Sequence, residues 1–122
     1  MHFRIIDSSG AHSDDDIMLM VEEGGTLFAG DLFFSGRIPF IENANSTAWL
    51  AALDRMLEVE PKIVVPGYGI ASDKPLQKMQ LTRDYMMSLR RKMGEAVTDM
   101  IPFEEAYDSI EWTFFKKFPA FL

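Results

Sequence analysis

Apolar and polar positions alternate along the 122 residues in a way that separates short β-prone runs from helical stripes. Residues 3–6 are short and β-prone, and the polar run that follows, residues 7–16, has the composition of a loop. Ile17-Met18-Leu19-Met20-Val21 is unbroken apolar sequence and predicts a strand buried on both faces. Glu22-Glu23-Gly24-Gly25 is a turn. Thr26-Leu27-Phe28-Ala29 then returns, so residues 17–29 predict a hairpin whose second strand runs into Gly30-Asp31. A loop containing Gly36 and Pro39 comes next.

Ser46 is the expected N-cap of a helix in which Trp49, Leu50, Leu53, Met56 and Leu57 share one face. Pro61 lies just past its end. Ile63-Val64-Val65 predicts another buried strand, ending in the turn Pro66-Gly67-Tyr68-Gly69. A long helix is expected from Ser72 or Asp73, with Pro75 tolerated in its first turn. Met79, Thr82, Met86, Leu89, Met93, Val97 and Met100 step along it by three and four. Gly94 interrupts that helix at a cost of roughly 1 kcal/mol against alanine. Pro102 opens a short last helix with Phe103, Tyr107 and Ile110 expected inward, and residues 112–122 form an aromatic, basic tail. The pattern predicts one α/β (α+β) domain over residues 1–122, a mixed sheet covered on one face by helices.

Composition narrows the partners more than the fold. A formal charge of −7 argues against nucleic acid and anionic membranes, both of which call for a basic face. No stretch is long and apolar enough to span a bilayer. The chain has no cysteine, which excludes disulfides, thiolate metal sites and thiol catalysis, and which fits a reducing cytoplasm. Nine methionines and ten phenylalanines are a heavy load that suits a packed core or an adaptable association surface.

Three residues at strand ends could carry chemistry: His12, Asp31 and Tyr68. Ligand sites in open mixed sheets lie just past strand ends, so the three are expected to converge. Alone, each has an ordinary reading. A loop histidine is usually solvated, and an aspartate after a strand is commonly a cap or turn former. Asp14, Asp15 and Asp16 read as a solvated loop rather than a calcium site.

The succession is more specific than its parts. His12 in its acidic loop, the hairpin, "LFAGDLFF", "NSTAWLAALDRML" and "VVPGYG" together resemble the C-terminal half of the metallo-β-lactamase superfamily. The closest likeness is to zinc hydrolases found beside quinoprotein and sulfur-oxidation systems, with "AGDLFFSGRIPF" through "VVPGYG" as the specific part. The resemblance implies that His12 matches a ligand of the first zinc and that Asp31 matches the metal-bridging aspartate. Tyr68 occupies the position of the family's last histidine, a ligand of the second zinc.

The departures from that pattern are large. The family's His-x-His-x-Asp-His cluster is absent, and the chain has only His2 and His12 as histidines. A catalytic zinc needs about three protein ligands and an open position for water. A phenol, protonated near neutral pH, is a poor replacement for imidazole. The isolated chain is therefore expected to hold zinc weakly or not at all, and no catalytic residue is assigned to it.

Two other readings stay open: a non-catalytic interaction module, and a homodimer that pools two His12–Asp31 pairs. The complete family fold is an αββα sandwich, of which one half leaves the inner sheet face bare. A homodimer or a complementary N-terminal half chain is the expected partner, with Met18, Met20 and Phe28 near the contact.

Overall fold

The computed structural model describes residues 1–118, and of Lys117 only the backbone. The elements run β1 (Phe3–Asp7), β2 (Ile17–Val21), β3 (Thr26–Phe34), α1 (Ser46–Glu58), β4 (Ile63–Tyr68), α2 (Pro75–Thr98), α3 (Phe103–Asp108) and a 3-10 helix, Trp112–Lys117. The four strands form one sheet in the order β1-β2-β3-β4. The first two pairings are antiparallel, and β3 pairs β4 in parallel across the α1 connection. This is the expected mixed sheet with helices packed on it.

Strand pleating sorts the apolar side chains onto two faces. Met18 and Met20 of β2, Leu27 and Ala29 of β3, and Val64 of β4 are buried in the core. They share it with Trp49, Leu50, Leu53 and Met56 of α1 and with Met79, Tyr85 and Met86 of α2. The helical stripe of α1 is thus the one its spacing predicts. Its N-cap is Asn45 rather than Ser46, because the Asn45 side chain accepts a hydrogen bond from the Ala48 amide at 3.1 Å. Arg83 of α2 reaches Asp54 of α1 at 2.6 Å, clasping the two helices.

The opposite sheet face is uncovered. Register places Ile5, Leu19, Phe28 and Val65 in one row across all four strands, and Phe3, Val21, Thr26 and Ile63 in the next. Ile5 is 68% exposed and Phe28 43% exposed; Leu19, Val21 and Val65 are half-buried. The expectation of strands buried on both faces therefore fails for β2 and β4, which bury only one. It also relocates two of the three residues expected at a contact. Met18 and Met20 lie under the helices, and only Phe28 sits on the bare face.

Two further departures concern the C-terminal region. Phe103 is 70% exposed and Tyr107 is exposed too, against the expectation that both point inward. A helix of six residues buries one narrow stripe, here Ala106, and Ile110, expected inward, is buried just past the helix end. Phe103 and Tyr107 form the neighbouring stripe, with their rings 6.0 Å apart. Of the aromatic tail, Phe115 and Phe118 are buried beside Tyr85, at ring distances of 5.0 and 5.9 Å. Pro119-Ala120-Phe121-Leu122 lie outside the described residues. Among the described residues no helix is long and apolar enough to cross a membrane.

Candidate functional site

The loop between β1 and β2 is braced by its own carboxylates. Asp16 accepts hydrogen bonds from the His12 amide (2.7 Å), the Ser13 amide (2.6 Å) and the Ser13 hydroxyl (2.7 Å). Asp7 accepts from the Ser9 amide at 2.9 Å, and the Ser9 hydroxyl and amide hold its carboxyl below the usual carboxylate value, with Arg55 adding a smaller effect. One member of the acidic run is thus a loop former rather than a solvated charge. The signal was the spacing Ser13-x-x-Asp16, the short polar pattern in which a side chain caps nearby amides.

Two contacts fix His12 beyond its own loop. The Asn45 amide donates to the Ala11 carbonyl at 2.8 Å, tying the loop to the start of α1. The half-buried imidazole meets Trp49 edge-on, with centroids 5.3 Å apart, and lies 6.2 Å from the Phe34 ring. Trp49 is itself locked, since its indole Nε1–H donates to the Leu32 carbonyl at 2.8 Å.

Asp31 does not follow β3 but lies within it. The strand continues to Phe34 through pairing shifts on either side of Gly30, whose φ of +55° is left-handed and marks an irregularity that β-strand residues other than glycine adopt reluctantly. Asp31 is exposed there, against the backbone of β4. A Cβ placed on Gly67 would stand 2.8 Å from the Asp31 Oδ1 and 2.5 Å from the Gly30 carbonyl oxygen. Glycine at 67 is therefore a matter of space. Gly67→Ala is expected to push β3 and β4 apart and to lower stability by about 1–3 kcal/mol, the usual cost of overpacking. The urea unfolding midpoint measures this, and an unchanged midpoint would remove the close approach.

Tyr68 ends β4, paired with Phe34, and its carbonyl accepts from the Ser35 amide at 2.8 Å. Its ring stacks on Phe34 with centroids 4.7 Å apart and planes 15° from parallel. Phe34 is the residue that sequence reasoning missed. Its ring contacts both His12 and Tyr68, and its place beside Tyr68 follows from the parallel register of β3 and β4.

His12 and Tyr68 thus each contact the Phe34 ring, and Asp31 lies beside Gly67, the neighbour of Tyr68. Among them, His12 and Asp31 are the side chains suited to hold a metal. Zinc takes about three or four nitrogen, sulfur or carboxylate donors. Two such residues do not fit a zinc ion by themselves, and the Tyr68 ring is engaged face-on by Phe34. Among the described residues, no three His, Cys, Asp or Glu side chains come together as a metal-holding group.

The family model described as the Metallo-beta-lactamase superfamily matches residues 9–68, a span that includes all three candidates. Solved structures agree on the fold. VMB-1 is 21% identical with a TM-score of 0.61, over 71% of this chain and 41% of that one. The metallo-beta-lactamase from Pontibacter korlensis is 20% identical, TM-score 0.59, over 70% and 41% respectively. A double mutant of the sec-alkyl sulfatase PisA1 is 13% identical with a TM-score of 0.72, over 89% of this chain but 19% of that one. No curated protein sequence matches. The chain has part of the metallo-β-lactamase fold. It spans about two fifths of the length of the first of these structures.

Proposed function

We propose that these 122 residues are part of a metallo-β-lactamase-type zinc hydrolase, contributing His12 and Asp31 to a site whose other ligands come from outside this stretch. On this reading the stretch alone is not catalytic. The observation that carries it is the chain of contacts from His12 through the Phe34 ring to Tyr68, with Asp31 beside the adjoining Gly67, which offers two zinc donors where about three or more are needed. The stretch from Ala29 to Gly69 supports the finer placement among zinc hydrolases of quinoprotein and sulfur-oxidation systems. The fold does not choose a substrate, since a metallo-beta-lactamase and a sec-alkyl sulfatase both share it.

Calorimetric titration of the purified chain with zinc tests the ligand assignment. Wild type should bind weakly, His12→Ala not at all, and Tyr68→His at least about tenfold more tightly. That factor is conservative, because even groups that only orient a ligand change metal affinity by about 10–100-fold. Zinc-dependent turnover of an ester or lactam by wild type, lost in His12→Ala, would overturn the claim that the stretch is inactive alone. Equal zinc affinity of wild type and Tyr68→His would remove Tyr68 from the site.

The bare sheet face favours a second role alongside the first. An apolar sheet surface of this kind marks an association site, filled by a homodimer or by a complementary chain bearing the N-terminal half. If the zinc titration is flat for every variant while association persists, the non-catalytic interaction module is the surviving reading.

A further inference from the structure

On the helical side of the molecule, away from the bare sheet, an open cleft of ≈ 690 Å³ lies between α2, α3, the 3-10 helix and the loop before α1. That volume is within the range of about 300–1,000 Å³ typical of small-molecule sites. Tyr85, Met86, Leu89 and Met93 of α2 line it on one side and Phe103 and Tyr107 of α3 on another. The outward turn of Phe103 and Tyr107, unexpected from the sequence, is what supplies that second apolar wall.

Two observations give the cleft a chemistry. The first is its charge. Arg90 is the single charged residue of the lining, with no aspartate or glutamate among its neighbours there. Its Nη1 donates to the Ser46 hydroxyl at 2.6 Å, and among the described residues no carboxylate lies within ion-pair distance of it. Burial first, and Tyr107 second, push the Tyr85 phenol up, so Tyr85 stays neutral near physiological pH. In a chain of formal charge −7, a rim offering one cation and no anion is a local exception.

The second observation is Gly94. It sits inside α2 on the cleft lining, at a cost of about 1 kcal/mol relative to alanine. No packing requires it, because a Cβ there would meet nothing within 4 Å, and its backbone is not left-handed. What the missing side chain preserves is open space in the cleft.

We propose that this cleft binds a single-chain amphiphile with a monoanionic head group, its hydrocarbon against Leu89, Met93 and Phe103 and its head at Arg90. The apolar walls favour the chain by removing it from water. Arg90 donates charge-assisted hydrogen bonds to a carboxylate or sulfate head, and its planar fork can engage two oxygens at once. The overall negative field gives an anion no help, so discrimination between head groups rests on this one side chain.

Dodecanoate, kept free in solution below its micelle-forming concentration, is the probe, with binding followed by calorimetry and by the fluorescence of Trp112 at the cleft wall. One site per chain is expected. Arg90→Gln should weaken dodecanoate about tenfold, the loss of a charge-assisted contact, while leaving dodecan-1-ol unchanged. Gly94→Leu should abolish both; leucine is a better helix former than glycine, so a folded variant without binding separates a filled cleft from an unfolded chain. Absence of saturable binding to wild type would overturn the proposal. So would dodecyltrimethylammonium binding as tightly as dodecanoate, or Gly94→Leu binding undiminished. A wild-type dimer that ignores dodecanoate and dissociates on Gly94→Leu would overturn it too, by making the cleft an interface between copies.

Discussion

Replacing Ile5 and Phe28 together by lysine is expected to turn an associating chain into a 13.9 kDa monomer and to strip it of apolar-dye binding. The two residues lie two strands apart in the same transverse row of the bare face, with Leu19 between them. In a sandwich, whether made with a second copy or with a complementary sheet, each would be buried. Full burial of such a side chain is worth about 1.5–3 kcal/mol; with about two thirds of Ile5 and under half of Phe28 still exposed, losing both costs about 2–3 kcal/mol. That is about 30- to 150-fold in the dissociation constant, before the penalty of desolvating two ammonium groups is added. Met100→Lys, at an exposed apolar position just beyond α2, is the control and should change nothing. Light scattering during size exclusion at micromolar concentration reads the outcome. A monodisperse 13.9 kDa wild type that binds no dye would sink the association reading.

The largest single loss of stability is expected at Trp49. Its side chain is fully buried, touches the His12 and Phe34 rings, and donates to the Leu32 carbonyl. Trp49→Ala should cost about 3–5 kcal/mol for the cavity, and leaving that carbonyl unsatisfied adds about 1 kcal/mol or more. Set against a typical domain stability of about 5–15 kcal/mol, the variant should be marginal or unfolded at room temperature. Trp49→Phe keeps most of the ring but not the donor, and should lose only a fraction as much. Urea denaturation followed by circular dichroism separates the two. Equal losses in Ala and Phe would mean that the indole hydrogen bond, not the packing, dominates.

What could be read from the sequence was what short spacing encodes. The α1 stripe of Trp49, Leu50, Leu53 and Met56 is buried as its period implies, and the β2–β3 hairpin forms around Gly24-Gly25. The resemblance implied a bare sheet face, but which side of β2 meets the helices was not legible. Ile-Met-Leu-Met-Val is apolar at every position, so it carries no alternation to say which face meets the helices. The approach of the Gly67 backbone to Asp31 and the Tyr68–Phe34 stack were hidden for a different reason. They depend on the parallel register of β3 with β4, set by packing across more than thirty intervening residues. The resemblance marked His12, Asp31 and Tyr68 as candidates, but the ring that both His12 and Tyr68 contact belongs to a residue that no local pattern singles out.

The irregularity at Gly30 divides β3 into two stretches that answer to different demands. Upstream, Leu27 and Ala29 face the helices while Phe28 faces the open side; downstream, Leu32, Phe33 and Phe34 are all buried and Asp31 lies within the strand beside Gly67. For anyone recasting this scaffold, the glycine acts as a phase break. Randomising positions 26 and 28 varies the open face without re-aiming the aspartate, and randomising 31 varies the candidate site without altering the open face. Filling position 30 with a β-branched residue would favour a regular ladder, slip the downstream half by one residue, and turn Asp31 toward the opposite side of the sheet.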